Sequence, residues 1–483
     1  MKKPKPIRLV SFILIFVGVF VYLNRIFASD NHFNNSIEAF EELSSETNID
    51  VLFFGSSHSY TAFNPLIINQ ETKTTSFNLG SDGLLVPLTD LIAKEALQKT
   101  KPKLVVLEIY PPSIKSPTSK KSKGYQLRVL DRISHFSISK WEKTRRFYNP
   151  SELIGVYMPL VRNHAEWDKI KPFKWSKNEN FNLHNTFFYN GYKGNTFRLN
   201  AAMTKTFKDF RNKKPKAKST NKKNIITSEN KKDIDNFIML SKSHGAEVLL
   251  VSAPDLRANY NWDPKFFTLM QSLSDEHDVM YINLNNYYDQ IDLQTVDFKD
   301  PSHLNVLGAY KTSKFLGKYI ANTYDLPNRS YEKNFKELNN DYSAFIEKHI
   351  KIQEWNHGIQ TEESFLPNIM VDSITLEKQG ARLKFSLALN AEKTSLEELK
   401  KYNLLVKLIP EAQDTLLVHE RFKMRGWNFD KTDIDLQRVS SSIDFVMSTR
   451  IKAINTIEFI LYNKEGYDGA VGKRIKIRQP IFD

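Results

Sequence analysis

The 483-residue chain contains no cysteine. That absence excludes thiol catalysis, cysteine-ligated metal sites and a secreted mini-scaffold stapled by disulfides. Metal-ligand spacing is missing as well. His135, His164, His184, His244 and His277 stand singly and read as packing or surface residues, so no metal and no cofactor is expected. The sequence shows no internal repeat. What remains is ordinary globular material. Hydrophobic residues make up 41% and aromatics 12%, enough for sizeable cores, and the length argues two or more domains.

The formal net charge is +14, which favours anionic partners. Much of it is local. The run 212–223 holds six lysines and no acid and reads as a solvated loop, because no nucleic-acid-binding motif surrounds it. Nucleic acid is therefore not an expected partner.

At the N-terminus Lys2, Lys3, Lys5 and Arg8 precede Leu9–Leu23, an uncharged run of fifteen residues. Ile26, Phe27 and Ala28 extend it past Asn24, and Arg25 can snorkel toward an interface. Residues 1–29 thus read as a transmembrane anchor, or alternatively as a signal peptide cleaved near Ala28. Basic residues ahead of the run keep the N-terminus cytoplasmic and place the body on the extracytoplasmic, periplasmic or extracellular, side.

Beyond a polar stretch from Asn31 to Asn48, bounded apolar runs alternate with helical spacing. Asp50–Phe54, Thr74–Asn78, Pro102–Ile109, Ala246–Ser252 and Val279–Asn283 read as buried strands. Leu88–Leu97, Lys231–Ser243, Phe266–His277 and Leu307–Tyr324 read as helices. The expectation is an α/β domain over 30–335 with a doubly wound parallel sheet, whose ligand sites lie at the carboxyl ends of the strands. The pattern breaks over about 111–230. That stretch reads as an insertion, lid or substrate wall, with Trp141, Trp167, Trp175 and the run Phe187–Tyr192 either lining a site or only packing. Residues 336–364 carry a helical charge pattern and would connect to 365–483. There, period-two segments (Val371–Leu376, Arg382–Leu389, Asn403–Ile409, Ser442–Val446, Ile457–Tyr462) and turns at Lys464–Gly466 and Asp468–Gly469 predict an antiparallel β-sandwich.

Two sites could carry chemistry. Ser57, in Gly55-Ser56-Ser57-His58, follows a buried strand where a turn can expose its hydroxyl and offer its N–H to an oxyanion. In Asp300-Pro301-Ser302-His303, an i, i+3 pair can aim at one point, His303 as base and Asp300 as its orienting carboxylate; the plainer reading is that Ser302 or Asp300 caps the following helix. A serine after the first strand, a glycine turn after the second and Asp-x-x-His before the last helix form an ordered set.

That set resembles the SGNH (GDSL-like) hydrolase superfamily over about residues 48–325, excluding the insertion. The resemblance implies Ser57 as nucleophile, Gly83 as the oxyanion glycine of the second block, and Asp300 with His303 as the last block. The sequence departs from the family pattern at Ser56, where Asp is usual, and at Glu108–Pro112, which replaces the third block's Gly-x-Asn-Asp. Ser57 and Gly83 N–H would then stabilise the oxyanion, with Asn78 or a residue of the insertion as a third donor. His58 could contact substrate or serve only as a turn residue.

The anchor and these departures are similar to exported proteins that work with membrane-bound O-acyltransferases in teichoic-acid D-alanylation and polysaccharide O-acetylation. The resemblance implies a serine-dependent acyltransferase or esterase acting on O-acyl groups of cell-surface polysaccharide, partnered by a membrane acyltransferase. The alternative is a catalytically degenerate scaffold or glycan-binding protein of such a system.

Overall fold

The computed structural model describes residues 6–28, 32–165, 186–196, 199, 201–207, 210, 227–258, 262–350, 353–357, 370–379, 382–390, 392, 394–410, 431–436, 442–448, 454–463 and 471–476. Trp167, Trp175, the lysine run 212–223, residues 351–352 and 358–364 of the connector and the turns at 464–466 and 468–469 lie outside them. The chain divides into two units, one of Met1–Phe181 and Phe188–Tyr342, the other of Asn182–Phe187 and Ser343–Asp483.

The first unit is built on a five-stranded parallel sheet. Its strands are β1 (Val51–Phe54), β2 (Ser76–Asn78), β3 (Leu104–Glu108), Glu247–Ser252 and Met280–Asn283, in the order β2-β1-β3 followed by the last two. Val51–Phe54 and Leu104–Leu107 are wholly buried, as strands covered on both faces must be, which is why they read as unbroken apolar runs. This order is that of a flavodoxin-type sheet, in which the direction of winding reverses beside β1. The segment leaving β1 therefore emerges at the crevice where such sheets hold ligands.

Helix α1 (Pro6–Ile26) and helix α2 (His32–Glu46) precede the sheet. Among the described residues no helix is long and apolar enough to cross a membrane, so the expected transmembrane span is not found. The uncharged run of α1 covers about 22 Å of rise, short of the ~30 Å hydrocarbon layer. Leu9, Phe12, Leu14, Ile15 and Phe16 are nevertheless exposed along it. Its far end is tied to the body: Leu160 N–H donates to Asn24 Oδ1 at 3.1 Å and Asn163 Nδ2 to Phe27 O at 2.5 Å.

The region expected as an insertion is more regular than its composition suggests. Lys120–Leu130, Ile138–Phe147 and Pro150–Tyr157 are short helices opened by Ser119, Ser137 and Asn149 caps. Asn190 and Gly191, both at positive φ, turn Thr186–Tyr189 back into Tyr192–Asn195, as Asn-Gly hairpins require. The second unit contains two four-stranded antiparallel sheets, ordered Gln353–His357, Val371–Gln379, Arg382–Leu389, Ser442–Ser448 and Lys431–Asp435, Tyr402–Pro410, Ile454–Asn463, Val471–Lys476. Phe385, Leu387, Leu404, Val406, Phe459 and Leu461 are among its buried side chains.

Candidate active site

The turn out of β1 places the first group. Gly55 has φ +141°, and a Cβ there would lie 2.7 Å from both Cβ and Oε2 of Glu108, so only glycine admits the carboxyl so close. Ser56 caps helix α3 (Ser57–Ala62), its Oγ accepting the His58 N–H at 3.1 Å. The Ser56 N–H and Oγ both donate to Glu108 Oε2, at 2.9 and 2.8 Å. Ser57 is the first residue of α3, so its N–H has no intrahelical acceptor. Its hydroxyl lies 2.7 Å from His303 Nε2.

The second group comes from a two-stranded hairpin, Phe298–Asp300 and His303–Leu304. Asp300 Oδ1 accepts the Ser302 N–H at 2.9 Å and the His303 N–H at 3.1 Å. Both carboxylate oxygens lie 2.9 Å from His303 Nδ1. Burial alone would raise the Asp300 carboxyl, but His303, the Ser302 N–H and the charge of Lys299 together hold it well below the carboxylate range. An ionised carboxylate can only accept. In the neutral ring the proton therefore sits on Nδ1, and Nε2 then presents a bare lone pair to the Ser57 hydroxyl. The site is reachable from water, with the Asp300 side chain 41% and His303 21% exposed. Helix capping does not account for the Asp-x-x-His segment. Asn305 caps the helix Val306–Thr323, its Oδ1 accepting from Leu307 and Gly308 N–H.

Three expected roles fare differently. Asn78 cannot serve as an oxyanion donor, because its amide is spent on the fold. Nδ2 donates to the Ser59 and Phe63 carbonyls at 3.1 and 3.0 Å, and Oδ1 accepts from Ser59 Oγ and Gly80 N–H. His58 is only 3% exposed, which rules out the substrate contact. It is walled in by the Tyr110 ring at 4.1 Å and meets the His303 ring edge to face at 5.0 Å. Gly83 sits at φ +61° against the Tyr125 ring, and Gln126 Nε2 donates to its carbonyl at 2.8 Å. Gly80 also borders the nucleophile turn, where a Cβ would lie 2.9 Å from the Ser56 carbonyl oxygen, but its N–H is taken by Asn78 Oδ1.

Other neighbours had no sequence signal. Tyr60 of α3 donates to Asp82, which Arg128 also engages. Burial would raise the Asp82 carboxyl, yet Tyr60, Arg128 and Lys193 hold it below its ordinary value. The Asn190–Gly191 turn abuts the end of β2: Asn78 N–H donates to Asn190 O at 2.9 Å, and a Cβ on Gly191 would lie 1.8 Å from Asn78 O. His32 Nε2 lies 3.0 Å from Gly191 O. The Asn-Gly pair among aromatics was the available hint.

Among the described residues no cluster of histidine and acidic side chains could hold a metal. No protein-family model matches the chain, and no curated protein matches it in sequence. Among solved structures it is similar to a candidate acylhydrolase from Bacteroides fragilis NCTC 9343, at 11% identity and a TM-score of 0.29, over 61% of this chain and 99% of that one. At that TM-score the likeness says nothing of what this chain does.

Proposed function

We propose that the protein is a serine-dependent acyltransferase or esterase of the SGNH type, acting on O-acyl groups of cell-surface polysaccharide outside the cytoplasm. The observation that carries the reading is the continuous file Ser57 Oγ, His303 Nε2, His303 Nδ1, Asp300, with links of 2.7 and 2.9 Å. His303 takes the Ser57 proton as Oγ attacks the ester carbonyl. The Ser57 N–H stabilises the oxyanion, with the Gly83 N–H as the second donor. His303 then protonates the departing alcohol, leaving an acyl group on Ser57. A sugar hydroxyl or water, deprotonated by the same imidazole, releases it. The exposed apolar side chains of α1, flanked by Arg8 and Arg25 in the sequence, suit association with a membrane where an acyltransferase could supply the acyl group. The second unit, with its two sheets as a sandwich, would hold the glycan.

The test is acylation by an activated aryl ester followed by intact-protein mass measurement. Wild type gains one acyl mass and Ser57→Ala gains none while unfolding at the same temperature. Equal labelling of the variant removes Ser57 from the role. The lack of a third-block asparagine in Glu108–Pro112 favours one other reading, a scaffold that binds glycan without turnover. Glycan binding by an unacylated wild type would select it.

A further inference from the structure

Glu108 opens the segment Glu108–Pro112 that stands in place of the third block, and its surroundings give it a task of its own. The carboxyl is wholly buried at the end of β3, directly beneath the turn that presents Ser57. One oxygen, Oε2, takes both Ser56 bonds. The other, Oε1, is buried without a hydrogen-bond partner, and so is His58 Nδ1. These two atoms face each other across 3.8 Å, about 1 Å beyond a hydrogen bond. Two partnerless buried polar atoms, one able to accept and one able to carry a proton, are costly apart and satisfied together.

We propose that Glu108 and His58 are a positioning pair that shares one proton between Oε1 and Nδ1 and thereby holds the Ser57 hydroxyl against His303. The proposal rests on the acyl-transfer reading above for what the positioning serves. The lever runs through short links. Glu108 fixes Ser56, the Ser56 hydroxyl fixes the His58 N–H, and the His58 ring bears on the His303 ring. Neither residue touches the reacting atoms.

The proton has two resting places. Burial pushes the Glu108 carboxyl up to about 7, although the two Ser56 bonds pull it down. Burial, then His303 and Arg257, hold the His58 imidazole well below its ordinary range, so that ring is neutral. Below about pH 7 the protonated Glu108 donates to a bare His58 Nδ1, and the ring's own proton sits on Nε2. Above it, the shared proton rests on Nδ1 and the ionised Glu108 accepts from it, while the ring's Nε2 proton leaves to solvent. The charged and titratable groups facing the pair are Asp255 and Tyr110 around the carboxyl, and His303, Asp300, Lys299 and Arg257 around the ring.

Two measurements on the full chain test this. The first follows the ring-nitrogen NMR signals of His58 from about pH 5 to about pH 9. The Nε2–H form gives way to the Nδ1–H form across neutrality in wild type. In Glu108→Gln, whose amide donates to Nδ1 at every pH, the Nε2–H form persists. A His58 tautomer that never changes in wild type, or that changes equally in the variant, overturns the pair. The second is the pH profile of acyl-Ser57 formation. On top of the dependence on the His303 base that all these proteins share, wild type shows a step near pH 7 that Glu108→Gln lacks, while Glu108→Ala, which cannot hold Ser56, loses about 10²-fold at all pH values. Superimposable wild-type and Glu108→Gln profiles also overturn it. If Ser57 is never acylated but the His58 tautomer switches, the acyl-transfer reading fails and the pair stands. If Ser57 is acylated and the tautomer is fixed, the reverse holds.

Discussion

Replacing Asp300 by Asn tests the tautomer on which the proposed chemistry depends, and the structure dictates how the new amide must sit. Asp300 Oδ1 accepts two backbone N–H groups, those of Ser302 and His303, and the Ser302 hydroxyl at 3.0 Å. An amide nitrogen placed there would meet two donors. The Asn oxygen therefore keeps that position, and its NH₂ falls where Oδ2 was, 2.9 Å from His303 Nδ1. Facing a donor, Nδ1 becomes the acceptor, and the ring proton moves to Nε2. That atom then donates to Ser57 Oγ, 2.7 Å away, and cannot receive its proton. Inverting the tautomer in a triad of this kind costs about 10³–10⁴ in rate, or roughly 4–5.5 kcal/mol of barrier. The assay is burst-phase acylation by an activated aryl ester near neutral pH, with thermal unfolding as control. The backbone bonds to the loop survive, so the melting temperature of Asp300→Asn should stay close to wild type. A burst rate within tenfold of wild type refutes the argument, because the base would then work without Asp300 fixing its proton.

Asn78→Ala should destabilise the fold by about 2–4 kcal/mol in urea unfolding, since it strands the buried Ser59 and Phe63 carbonyls and the Gly80 N–H. A stability change under about 0.5 kcal/mol, with acylation lost instead, would return Asn78 to the oxyanion role. His32 is neutral in the folded protein, burial and then Lys193 lowering it to about 4 from 6.5. The unfolded chain thus binds the proton first, and stability falls as pH drops from 6.5 toward 4 by about 3 kcal/mol in all. His32→Gln should flatten that part of the curve; an unchanged slope would place the acid sensitivity elsewhere.

The central sheet was legible because strands covered on both faces leave little choice of residue: Asp50–Phe54 and Pro102–Ile109 bracket β1 and β3 within two residues. The meeting of Ser57 with Asp300 and His303 was legible because each flanks an element whose end the sequence marks. Less was legible where a side chain's partner is remote. Nothing at Asn78 announces that its amide will bind the carbonyls of Ser59 in α3 and of Phe63 just after it. A glutamate closing a strand reads as an exposed residue. Its burial at Glu108 follows from Gly55, whose missing Cβ lets the turn descend onto it. Over 111–165 the short helices are charged and capped by single Ser or Asn residues, so their apolar stripes are too narrow to read as period 3.6.

The two carboxyls of the site are pushed in opposite directions. Asp300 is half-exposed and surrounded by donors, so it stays ionised and fixes the Nδ1 proton of His303. Glu108 is wholly buried, and the bonds that stabilise its charge come from Ser56. Were it ionised at acid pH as well, a second negative charge would lie buried against His58 where protons are abundant and would draw one onto that ring. The ring would then carry positive charge edge to face with His303, repelling the imidazolium that must form there when Ser57 gives up its proton. A carboxyl that is neutral or ionised by a small margin avoids this conflict while still accepting both Ser56 bonds. Environments that separate two acids in this way are the usual means of giving one a fixed charge and the other a mobile proton. An amide at position 108 would reproduce the first property and lose the second, which is why Glu108→Gln isolates the mobile proton from the support of the turn.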